Sequence, residues 1–170
     1  MDNYSGNKEY NIYRDIRNRT NGEIYLGVVG PVRTGKSTFI KRFMETMVLP
    51  DMENPYKRER ARDELPQSGT GRTIMTAEPK FVPEVAAEIA LPEGGACRVR
   101  LVDCVGYLVE GALGGMEGDT PRMVSTPWQE EPMTLAEAAE IGTHKVIGEH
   151  STIGLVVTTD GSFTELPREA

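Results

Sequence analysis

The run Gly30-Pro31-Val32-Arg33-Thr34-Gly35-Lys36-Ser37 fits the pattern G-x-x-x-x-G-K-[ST] in full. It stands between an apolar stretch, Ile24 to Val29, and an amphipathic one, Lys36 to Leu49. A strand, a glycine-rich turn and a helix in that order restrict the local fold sharply. Only then do successive backbone amides converge at a helix N-terminus, where the helix dipole favours an anion. With glycine near 7% of average composition, the pattern arises by chance on the order of once in a hundred chains of this length. Ile24 to Val29 reads as a strand buried on both faces of a parallel sheet. In the helix, Phe39, Ile40, Phe43, Met44 and Met47 recur at spacings of three and four, which predicts one buried face, with Pro50 as the stop.

The remaining chain follows the same logic. Lys8 to Arg19 carries Tyr10, Ile12, Tyr13 and Ile16 among charges, a short amphipathic helix ending at Asn21-Gly22. Asn54-Pro55 supplies an N-cap and an N1 proline for an exposed, charged helix. Ser68 to Arg72 is a polar loop, and Thr73 to Val82 reads as an edge strand ended by Pro83. Arg98 to Asp103 is a further strand turning at Gly106. Tyr107 to Pro132, with four Gly and three Pro, reads as a long loop. Thr134-Leu-Ala-Glu137 is a capping box opening a helix toward Glu149, with a break expected near Gly142, and Thr152 to Thr159 is the last strand. This alternation around a P-loop predicts an α/β fold with a mostly parallel sheet, a P-loop NTPase. A lead-in over 1–22 is followed by the P-loop domain over 23–170, whose later strands are expected beyond Ala170.

The chemistry sits on a few residues. Gly30 and Gly35 let the backbone wrap phosphate oxygens, and the loop from Gly30 through Pro31, Val32, Arg33, Thr34, Gly35, Lys36, Ser37 and Thr38 forms the candidate nucleotide cradle. Lys36 reaches the β and γ phosphates, and Ser37 offers a hydroxyl to Mg²⁺. Arg33 either touches phosphate or forms an outward ion pair. Asp103-Cys-Val-Gly106 is a D-x-x-G after an apolar strand, so that Asp103 can hold Mg²⁺ while the Gly106 amide meets the γ-phosphate. Among Thr70, Thr73 and Thr76, Thr76 is the candidate sensor of metal and γ-phosphate. Tyr107 stands where Ras-like proteins carry the glutamine that orients attacking water, so hydrolysis is expected to be slow or to use another water-positioning group.

Net charge bears on partners. The 19 basic against 26 acidic residues leave −7, which argues against nucleic acid. No apolar run approaches the ~20 residues a membrane span requires, and the N-terminus has no apolar signal region, so a cytoplasmic location is the default. Cys97 and Cys104 lie seven apart, on opposite faces of any shared strand, and read as reduced thiols.

Several further words exceed a generic P-loop: Asp63-Glu-Leu-Pro-Gln-Ser68, Thr73-Ile-Met-Thr76, Glu78-Pro-Lys-Phe-Val-Pro83, Leu101-Val-Asp-Cys-Val-Gly-Tyr107, Thr126-Pro-Trp128 and Glu149-His-Ser-Thr-Ile-Gly154. From about residue 9 the chain resembles the N-terminal ATPase domain of the stage IV sporulation protein A family, spore-coat morphogenetic proteins of endospore-forming Firmicutes. The resemblance implies a P-loop NTPase of the translation-factor-like GTPase type, an ATPase using ATP and Mg²⁺ to drive self-assembly into filaments, in the mother-cell cytoplasm at the forespore surface, as the basement layer of the coat. It carries Gly30 to Ser37 over as Walker A, Asp103 as Walker B and Thr76 as the sensor; Ala77 stands where the family pattern has a second threonine. It also implies that regions beyond Ala170 meet a small amphipathic membrane peptide and other coat proteins. Two rival functions stay open on the residues: a GTP-loaded switch of the translation-factor-like class, and a nucleotide held as a structural ligand without turnover. The base-reading N-K-x-D motif is absent from these 170 residues.

Overall fold

The computed structural model describes residues 18, 20–66, 78–90, 95–109 and 114–158. The apolar run forms β1 (Glu23–Val29), and the P-loop opens α1 (Lys36–Phe43). A π turn over Met44–Val48 and a 3-10 turn over Leu49–Asp51 continue that helix. The charged helix α2 spans Pro55–Asp63, with the Asn54 side chain accepting from the Lys57 amide at 3.1 Å. Then come β2 (Lys80–Ala90), β3 (Ala96–Asp103), β4 (Met116–Glu117), β5 (Thr120–Pro121), β6 (Met123–Thr126), β7 (Gln129–Thr134), α3 (Leu135–Gly148) and β8 (Ile153–Val156).

The main sheet has the order β2-β3-β1-β8. β3 and β8 flank β1 in parallel, and β2 runs antiparallel to β3 at one edge. Alternation along β1 and β3 builds two layers. Leu26, Val28, Cys97, Val99 and Leu101 join Ile40, Met44, Val48 and Ala61 from the α1 and α2 side. Val29, Val102 and Cys104 meet Val146 of α3 on the other side. The two cysteines form no disulfide and are buried, one in each layer. At ~1.5–3 kcal/mol per fully buried large aliphatic side chain, these layers dominate what holds the sheet together. Their consequence for function is positional: the carboxyl ends of adjacent parallel strands β1 and β3 are brought side by side.

Several expectations need correction. Phe39 and Met47 do not share the buried helix face: they are 36% and 58% exposed, while Ile40, Met44 and Val48 are buried. The π turn widens the last winding and turns Val48, not Met47, to the sheet. Pro50 does not stop the helix from outside but sits in the first positions of the 3-10 turn, where its missing N–H leaves no bond unmade. β2 begins at Lys80 and passes through Pro83 to Ala90. Its pairing with β3 is interrupted between Val82 and Ala87, and a proline at an irregularity of an edge strand removes no ladder bond.

The stretch from Tyr107 to Pro132 is not a plain loop, since it holds two small hairpins, β4–β5 and β6–β7. Gly118, at φ 63°, makes the first turn; in the second, Val124 and Met133 pair and are both buried. α3 runs unbroken through Gly142, and its Ile147 is exposed. β8 covers Ile153–Val156, shorter than expected. Most of the Lys8 to Arg19 helix, the Ser68 to Arg72 loop and Thr73 to Ala77 lie outside the described residues.

α3 starts on a complete capping box: the Thr134 hydroxyl accepts from the Glu137 amide at 3.3 Å, and the Thr134 amide donates to the Glu137 carboxylate at 3.1 Å. Thr134→Ala should lower stability by about 1 kcal/mol, read as an earlier midpoint in urea with an unchanged slope.

Candidate nucleotide-binding site

Four segments meet where β1 and β3 end. The P-loop leaves β1 at Gly30, whose φ of 147° and close approach to the Val157 carbonyl exclude any side chain there. Val157 itself donates its amide to the Val29 carbonyl at 2.8 Å, so the end of β8 braces the start of the loop. Arg33 and Gly35 adopt left-handed backbone, φ 64° and 88°. That pair of turns carries the chain around into α1, whose cap residue is Gly35.

Inside the loop, the Pro31 carbonyl accepts two hydrogen bonds, from Thr34 Oγ1 at 2.9 Å and from Lys36 Nζ at 2.6 Å. Lys36 is 4% exposed. Burial pushes its ammonium pKa down, opposed by the neighbouring Cys104 and Asp103. Val32 is half-buried, and Arg33, Gly35, Ser37 and Thr38 are exposed at the mouth.

Asp103 comes from the last position of β3, beside β1 with no strand between them. Its Oδ2 accepts from Ser37 Oγ at 2.9 Å. Its Oδ1 is buried and has no hydrogen-bond partner among the described residues. Burial raises the carboxyl pKa, against the Ser37 hydrogen bond and the Lys36 charge, which lower it. Gly106, at φ 86°, lies so close to Lys36 that a Cβ there would strike Nζ and the Gly30 carbonyl. The next residue, Tyr107, takes the Val32 amide on its carbonyl at 3.0 Å and forms a one-residue parallel bridge with Pro31.

The residues therefore fit a magnesium-nucleotide. A buried ammonium with one of its three donors used on a neutral carbonyl suits a polyanion. A buried carboxylate oxygen left unpaired beside a hydroxyl suits a hard cation whose other ligands are phosphate and water. Among the described residues, no group of three His, Cys, Asp or Glu forms a self-sufficient metal cage. Lys36, Ser37, Asp103 and Gly106 are brought together; Thr76 lies outside the described residues. The sequence reading missed the carbonyls of Pro31, Tyr107 and Val157, because main-chain groups leave no signature in residue type.

The family described as "Stage IV sporulation protein A, ATPase domain" matches residues 7–170. The chain belongs to this family. It is 62% identical over 160 residues to stage IV sporulation protein A of Clostridioides difficile (strain 630), covering 94% of the chain. It is 62% identical over 161 residues to that of Bacillus anthracis and 59% to that of Bacillus subtilis (strain 168), covering 95% of the chain in each case. It spans 33% of the length of each of these relatives. No solved structure matches the chain. As a stage IV sporulation protein A ATPase domain it carries the P-loop and D-x-x-G within one sheet end, and among the described residues no helix is long and apolar enough to cross a membrane.

The raised carboxyl pKa has a consequence for the nucleotide-free domain. A group whose pKa is higher folded than unfolded holds more protons in the native state, so stability falls as pH rises through that window. Asp103→Asn should therefore equal or exceed the wild type in stability at neutral pH without nucleotide. The gap should close as pH falls toward the ordinary carboxyl value of 3.8, read by urea titrations of both proteins across pH.

Proposed function

We propose that the domain binds ATP with Mg²⁺ on the loop from Gly30 to Thr38 and hydrolyses it slowly. In the whole protein, this cycle drives self-assembly on the forespore surface as the basement layer of the spore coat. The observation that carries the reading is the joint placement of Ser37 Oγ on Asp103 Oδ2 and of Gly106 against Lys36 Nζ. The metal-binding and γ-phosphate-sensing halves of a P-loop site are thereby in register in one chain.

Each residue has a defined task. The amides of Thr34 to Thr38 face the phosphates at the start of α1, and Lys36 exchanges its bond to Pro31 for charge-assisted bonds to phosphate oxygens. Ser37 and Asp103, with Thr76 as a third candidate, hold Mg²⁺, which when bound neutralises charge on the leaving phosphate. Gly106 offers its amide where a side chain could not fit. Tyr107 in place of a water-orienting glutamine is the ground for slow turnover. The strand order, with an antiparallel β2 beyond β3, supports descent from translation-factor-like GTPases. The same topology favours a second reading, a GTP-loaded switch whose output is a partner rather than a polymer. A small amphipathic membrane peptide and other coat proteins are proposed partners of regions outside this chain.

The test is Mg²⁺-dependent binding of ATP against GTP to the intact protein, with light scattering in parallel. The expected result is ATP preference, with Lys36→Ala weakening binding about 10- to 100-fold, the loss of one charge-assisted hydrogen bond, and abolishing ATP-dependent scattering. GTP preference without scattering would select the switch, and normal polymerisation of Lys36→Ala with ATP would refute the proposal.

A further inference from the structure

Val105 and Leu108, on either side of the Gly106-Tyr107 pair, do not pack into either layer of the main sheet. They pack into a third core formed by Val124 and Met133 of the β6–β7 hairpin, Trp128 at its turn, and Leu135, Ala138 and Ile141 of α3. Val124, Met133, Leu135 and Ala138 are buried there. The segment that abuts Lys36 thus has its backbone in the nucleotide site and its side chains in the hairpin's core.

Each end of this connection is tight. At the site, a Cβ on Gly106 would strike Lys36 Nζ, and Tyr107 is bridged to the P-loop at Pro31 and Val32. When Lys36 leaves the Pro31 carbonyl for a phosphate, the Gly106 backbone loses the surface it rests on. At the other end, Leu108 packs in the third core and also lies near Gly115, just before β4, where a Cβ would come 3.3 Å from its Cδ1. A shift of residues 105–108 acts on the side chains of that core, because Val105 and Leu108 are part of it and packed interiors change arrangement in steps rather than by smooth yielding.

The hairpin is the part best able to respond. Its base is closed by the Leu135 amide donating to the Arg122 carbonyl at 2.7 Å, and the Arg122 amide donates in turn to the Gly115 carbonyl at 2.9 Å. The turn lies under Lys145, whose Nζ is 5.9 Å from the centre of the Trp128 ring. Trp128 Nε1 and Thr126 Oγ1 are buried, and among the described residues neither has a hydrogen-bond partner. Two unsatisfied buried polar groups at one turn are a local cost that a second arrangement of the hairpin can relieve. Its outer side carries Met123, 53% exposed, and exposed Gln129, Glu130 and Glu131.

We infer that the β6–β7 hairpin is the output element of the domain: the position of the Gly106 segment, set by the γ-phosphate, is passed through Val105 and Leu108 to Trp128 and changes the face the hairpin presents. The inference rests on nucleotide binding at the P-loop, so the experiment reads occupancy and hairpin separately. The intact protein is labelled with 5-fluorotryptophan, and the resonance missing from Trp128→Phe identifies Trp128. Mg²⁺ with a non-hydrolysable ATP analogue, or with ADP, is then added while occupancy is followed by equilibrium dialysis.

The expected result is a Trp128 shift well outside the linewidth with the triphosphate and a much smaller one with ADP. Leu108→Ala should keep occupancy and lose most of the shift, and Leu108→Met should restore it. Full occupancy with an unmoved Trp128 resonance would overturn the inference and leave the binding site standing. Absence of occupancy would overturn the binding reading and the inference with it. A shift that survives Leu108→Ala undiminished would contradict the route.

Discussion

The structure depends on one buried ammonium. Lys36 sits at the start of α1, almost without exposure, on the Pro31 carbonyl and under the Gly106 backbone. A charge removed from water is tolerable only with partners close by, and a neutral carbonyl with a half-paired carboxylate nearby is a modest set. The same burial that lowers the Lys36 pKa and raises that of Asp103 makes both groups avid for stronger counter-charges. Site and scaffold are therefore in tension: what weakens the domain without ligand is what equips it to hold phosphate and cation.

The sheet exists to hold that tension in place. β1 delivers the P-loop and β3 delivers Asp103 from the adjacent parallel strand, registered from Glu23 against Arg98 to Val28 against Asp103. α3 presses closely on β1, since a Cβ on Gly27 would run into Ser151 and Val146. Among the described residues, three apolar cores then divide the labour, two on the faces of the sheet and a third beneath the β6–β7 hairpin. The third gives the Gly106 segment a mechanical neighbour other than the sheet.

Legibility in the sequence followed the kind of signal each element leaves. The P-loop, Asp103, the Asn54 cap and the Thr134 capping box were readable because side-chain chemistry at fixed spacing defines them. The edge position of β2 was readable from its prolines, but not its extent, because an irregular pairing lets a strand run on past Pro83. The hairpins were hidden because glycine and proline announce turns without saying whether short strands flank them, and β4 and β5 hold two residues each. The π turn was hidden because apolar residues at 43, 44, 47 and 48 satisfy more than one winding. The staple from Val32 to Tyr107 is main chain to main chain and has no sequence signature at all.

In the proposed function, Lys36 and the Gly106 backbone form one unit that the nucleotide acts upon. The most direct measurement is the affinity of the intact Gly106→Ala protein for Mg²⁺-ATP and Mg²⁺-ADP, by calorimetry beside the wild type. A methyl group at that position displaces Nζ, so the account predicts weaker binding of both nucleotides and a reduced preference between them. Wild-type affinities for both would contradict it.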